Sequence, residues 1–179
     1  FPTAQLQYLS TAQLRALSTT QISAFSQEQI KTFLVTQFSV FNALQAAALT
    51  NSQIAVLSNA QVQKLNVSKF SASQLDWSDA AGNSVLSLLT VAQVKTLTTA
   101  QIPTLSDAQI RALSESQIQT LSGTQIRALS AAQISVFMPN QIKAFFDNQL
   151  PNFNAAQTAA LTKEQFGVLS NAQMQKLNN

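Results

Sequence analysis

Few side chains in this 179-residue chain are equipped for chemistry. Histidine and cysteine are absent, which removes the commonest general base, thiol nucleophiles, disulfides and the usual nitrogen and sulfur metal ligands. Two of the seven acids, Asp76 and Asp79, stand beside the single tryptophan, Trp77, in the segment NVSKFSASQLDWSDAAGNSVLSLLTV. Paired carboxylates can share a proton or hold calcium, but this pair lacks the glycine and ligand spacing of a calcium loop. Asp76, Trp77 and Asp79 therefore read as a loop presented by a scaffold, or as a bend in it.

The other chemistry-bearing set is basic. Arg15 and Lys31, then Lys95, Arg111, Arg127 and Lys143, each follow a glutamine by two residues. Regularly spaced cations can track a polyanion backbone, which defines an anion-binding edge for an acidic polysaccharide, lipopolysaccharide or phosphate chain. Aromatic residues are not interleaved with them, so single-stranded nucleic acid is not the expected partner. The plainer reading is a solvated edge that keeps a chain with only 9% charged residues soluble. Glycine-rich phosphate loops, zinc spacings and nucleophile elbows are all missing. No catalytic residue, cofactor site or metal site is expected.

The elements that position these residues follow from one repeat. Glutamine occupies 19 of 22 positions spaced by eight residues from Gln5 to Gln173; the exceptions, Lys69, Trp77 and Val85, are consecutive. Counting glutamine as the first position, the second is apolar, the fifth is Leu or Phe in 20 of 22 octads, and the sixth is mostly Ser, Thr or Asn. The sixth residue and the next glutamine make a capping box, in which the hydroxyl accepts a backbone N–H and the glutamine side chain reaches back to the cap's own N–H. In Leu105-Ser106-Asp107-Ala108-Gln109-Ile110 the box is framed by a hydrophobic staple. Asp107, Glu115, Asp147, Glu28 and Glu164 follow cap positions, where acids suit a helix N-terminus, and Pro139 falls where a first-turn proline is tolerated.

A continuous helix is excluded, because eight residues advance it by about 2.2 turns and rotate the apolar pair off any fixed face. A β-solenoid is excluded by three glycines and an apolar spacing of three. The fold expected is an all-α solenoid of very short helices, about two turns each, because such helices persist only when stacked. Basic residues in alternate octads, with Pro103 and Pro151 both in the other class, point to a coil of sixteen residues and two helices. The second class should be the less regularly helical. The basic residues would then line one edge. The glutamines could also form an internal amide ladder, a secondary role beside capping.

The domain reading is a repeat solenoid over 1–66, an irregular interruption over 67–92 within the same array, and a second solenoid stretch over 93–179. The interruption reads as a longer helix plus loop. Residues 133–178 repeat 21–66 at a shift of 112, including Phe25, Phe33 and Phe41 against Phe137, Phe145 and Phe153. A chain built this way reads as a window on a longer tandem array, or as a subunit whose ends stack on other copies. No apolar run reaches the roughly 18–20 residues a membrane-spanning helix needs.

The phrase Ala108-Gln109-Ile110-Arg111-Ala112-Leu113-Ser114 resembles octad tracts of large secreted or surface proteins of proteobacteria. The resemblance implies an extracellular spacer, adhesin stalk or filament component, and carries over no functional residue. Two other functions stay open: a module binding anionic glycan or nucleic acid along the basic edge, and a self-assembling filament subunit. The expected partners are another protein or a second copy stacked end to end.

Overall fold

The computed structural model describes residues 2–77 and 84–177. Among them the chain forms eighteen α-helices and four 3-10 helices, the longest Asn171–Leu177 with seven residues. Each begins where the octad dictates. At Ser106 the cap is extended (φ −72°, ψ 163°), its hydroxyl accepts the Gln109 N–H at 3.4 Å, and Gln109 Oε1 accepts the Ser106 N–H at 2.7 Å. The same reciprocal box opens Thr11–Ala16, Gln27–Thr32, Gly123–Ala128 and Lys163–Gly167. Helix ends are equally regular, with the fifth-position N–H closing a tight bond to the second-position carbonyl, as Leu113 to Ile110 at 3.3 Å.

Octads with a basic third residue form five- or six-residue α-helices. Those with Pro103 and Pro151 give the 3-10 segments Ile102–Thr104 and Leu150–Asn152. Proline brings no N–H to the ladder, which leaves only the tighter turn. Most of the second class is shorter, although Ala131–Val136 reaches six residues. Asp107, Glu115, Glu28 and Glu164 occupy first turns, whereas Asp147 lies in a turn outside the helices.

The described chain divides into two compact units, Phe1–Leu89 and Thr90–Asn179. The division falls inside the expected interruption, whose residues up to Leu89 belong to the first unit. In the first unit Thr19–Ser23 stacks on Ala43–Ala47, Gln27–Thr32 on Asn51–Ile54 and Val35–Phe38 on Asn59–Val62. In the second, Val91–Thr96 stacks on Glu115–Ile118, Glu115–Ile118 on Pro139–Lys143, and Pro139–Lys143 on Lys163–Gly167. Every one of these pairs is offset by 24 residues (43 − 19, 51 − 27, 59 − 35, 115 − 91, 139 − 115, 163 − 139). Each unit is therefore a solenoid with three short helices per coil.

The all-α solenoid of short helices stands, but the sixteen-residue, two-helix coil does not. The core is made by positions two and five, such as Ile110 and Leu113, or Ile126 and Leu129, all buried and alike in every octad. Alternating charge at position three marks the surface and has no part in closing the coil. Three consecutive fifth-position rings fill one layer: Phe33 meets Phe25 at 5.5 Å and Phe41 at 6.0 Å, both edge to face. Phe145 meets Phe137 at 5.7 Å and Phe153 at 5.2 Å in the same way. Such pairs add about 0.5–1.5 kcal/mol each beyond burial.

The interruption is a change of register, without a long helix among its described residues. Asn66 caps a 3-10 turn, Val67–Lys69, and Val67 and Phe70 fill the second and fifth core positions. Three residues of the octad, its glutamine included, are missing there. The next box, Ser71 with Gln74, comes three residues early and is intact. Gln74 to Gln93 then spans 19 residues, two octads plus the three lost.

Candidate functional site

The glutamines carry the feature that local reasoning placed second. Fifteen of them, from Gln37 to Gln165, are buried. Their Oε1 atoms accept from the cap N–H of their own helix, while Nε2 donates into the preceding coil. Gln45 Nε2 donates to the carbonyls of Leu14 (2.9 Å), Arg15 (3.3 Å) and Leu17 (2.8 Å), which lie 31, 30 and 28 residues earlier. Gln141 does the same with Ile110 (3.0 Å), Arg111 (3.1 Å) and Leu113 (2.7 Å). Gln53, Gln125 and Gln165 repeat the triple pattern.

These carbonyls are the groups a helix leaves without partners at its C-terminus, and the cap N–H is one it leaves at its N-terminus. One primary amide thus joins the start of one helix to the end of another in the coil before. Glutamate would cap as well, but its carboxylate has no donor to offer the carbonyls. The register shift tests the same rule. Gln74, three residues early, donates to Ala47 and Leu49 at offsets of 27 and 25, three less than the usual 30 and 28.

The basic residues do not form one edge. A basic residue every sixteen residues on a coil of 24 moves to a different helix stack each time. Lys95, Arg111 and Arg127 lie on three stacks, and Lys143 returns to that of Lys95 two coils on (143 − 95 = 48 = 2 × 24). Arg15 and Lys31, sixteen residues apart, fall on different stacks as well. Three of the six are engaged locally. Arg111 Nε donates to the Val136 carbonyl at 3.2 Å, Arg127 donates to Asn152 Oδ1, and Lys31 pairs with exposed Glu28 at 2.9 Å. The anion-binding edge read from the sequence is corrected to a spiral of isolated cations.

Of the presented-loop residues, Asp76 is exposed at the C-cap of Ala72–Leu75. Trp77 is half-buried and its carbonyl accepts the Val85 N–H at 2.9 Å. Asp79 lies outside the described residues. Among the described residues no group of three His, Cys, Asp or Glu could hold a metal, and no helix is long and apolar enough to cross a membrane. Glu164 has its pKa lowered by its backbone N–H and by the Thr162 hydroxyl at the start of its helix.

The family model of the ALTTAQ repeat matches residues 2–33 and 88–123. The match indicates a repeat family. Thr96-Leu97-Thr98-Thr99-Ala100-Gln101 departs from that motif at its first residue only, and in the structure Thr98 is the cap and Gln101 its reciprocal partner. The ALTTAQ signature is thus the capping box seen from its own leucine. No curated protein matches the chain.

Proposed function

We propose that this chain is a non-enzymatic structural module, a rigid helical spacer within a long secreted or cell-surface protein, such as an adhesin stalk. The observation that carries the reading is the use made of its polar side chains. The sixth-position hydroxyls close caps and the glutamine amides tie each coil to the one before, so the repeated polar groups serve the scaffold itself. The likeness of the octad phrase to tracts in large surface proteins supports the extracellular setting. Pulling the chain between marker domains by atomic force tests it. Rupture should proceed in discrete steps of one coil or multiples of it, about 80 Å of contour for each 24 residues at roughly 3.4 Å apiece. A smooth, low-force extension without steps would remove the mechanical basis of the proposal.

A further inference from the structure

The amide ladder has two ends, and they are complementary. In the first coil Gln13 and Gln21 are exposed; Oε1 of each accepts its cap N–H at 2.8 Å, and no carbonyl receives either Nε2. Two adjoining open clefts lie there, one lined by Leu9, Gln13, Ala16, Leu17 and Gln21, the other by Gln21, Ala24, Phe25 and Gln29. They expose free amide donors beside apolar fifth-position side chains. At the other end the pattern inverts. The carbonyls of Leu129 and Phe137 are clamped by Gln157 and Gln165, whereas those of Leu161 and Leu169 are clamped by no glutamine. One end thus offers donors and the other acceptors, in the spacing that joins successive coils within each unit.

We propose that the first coil of this chain is a docking face for the last coil of a second copy, joined by the same glutamine clamp. The occupant is set by hydrogen-bond complementarity. Within the chain a glutamine reaches the fifth-position carbonyl 28 residues earlier, four octads back less four residues. Continuing that count across the junction pairs Gln13 with Leu161 and Gln21 with Leu169 of the other copy. The contact is heterologous, so it propagates head to tail rather than closing as a two-fold dimer. It is independent of the spacer reading, which a strictly monomeric chain leaves intact.

Two measurements on the full chain test it. Sedimentation velocity over a wide concentration range should show reversible association. Gln13→Glu with Gln21→Glu keeps both caps but sets carboxylates against carbonyls, and should weaken association by at least about tenfold while the far-UV spectrum stays unchanged. Register is read by disulfides, which this cysteine-free chain reports cleanly. The contact that places third-position Arg111 against Val136 in the next coil sets Gly167 of one copy beside Ala16 of another. A Cβ at Gly167 meets nothing within 4 Å. Mixing Ala16→Cys with Gly167→Cys should give crosslinked heterodimers, and neither alone should crosslink. A monomer at all concentrations, association indifferent to the glutamate pair, or crosslinking of Ala16→Cys with itself would each overturn the proposal.

Discussion

Replacing Gln141 by glutamate separates the two jobs of the amide. Gln141 is 1% exposed; Oε1 accepts the Met138 N–H at 2.8 Å, and Nε2 faces the carbonyls of Ile110, Arg111 and Leu113. A carboxylate preserves the first bond and places a negative charge among three acceptors. Burial and acceptor neighbours both disfavour the charged form, and buried carboxyls shift upward by as much as about 3–5 units. Taking about 3 units, Gln141→Glu loses about 4 kcal/mol at pH 7, at 1.36 kcal/mol per unit. That is a large share of the roughly 5–15 kcal/mol typical of a folded domain. The sign is fixed by the raised folded pKa. Below the unfolded value of about 4.3 both states hold the proton and this penalty vanishes; it grows as pH rises towards the folded value. Urea titrations followed by far-UV circular dichroism at pH 3 and pH 7, each against the unaltered chain, read the effect. Gln13→Glu is the control, because it caps Ser10 yet has no coil beneath it, and should be near neutral at both pH values. An unaltered stability of Gln141→Glu at pH 7, or the same loss at both pH values, would refute the ladder argument.

Gln133→Ala removes the donor to Ile102 and Leu105 and empties a buried site, so it should cost about 2–4 kcal/mol in urea unfolding. Ser106→Ala removes one cap bond and should cost about 1 kcal/mol by thermal unfolding. Phe145→Ala opens the aromatic layer shared with Phe137 and Phe153 and should cost about 3–5 kcal/mol by the same measurement. Glu164 has a lowered folded pKa, so its contribution is present above the unfolded carboxylate value and is lost as pH falls through the folded one. Gln in its place should flatten that part of the melting-temperature profile.

Local structure was largely legible because its causes are local. Ser106, Gln109 and Ile110 lie within five residues of one another, and their box forms as their types require. The function of the glutamines was half legible, for the same reason: Oε1 acts three residues away and Nε2 about thirty. A signal was nonetheless present. A capping box accepts glutamate as readily as glutamine, yet the in-register position is never glutamate in this chain. Only a need for the amide's N–H donor explains that exclusion. The aromatic residues at 25, 33 and 41, a run of three, carried the coil number in the same understated way.

The sequence by itself determined where each helix starts and stops, which two positions of every octad are buried, and that such short helices must stack. These follow from hydrogen bonds and apolar spacing within a single octad. Only the tertiary structure decided that three helices close a coil, that the amides join coils in series, and that the cations spiral around the stacks. Coil closure depends on the summed bend at successive caps and on core volume. Positions two and five are alike in every octad, so no local signal distinguishes two helices per coil from three.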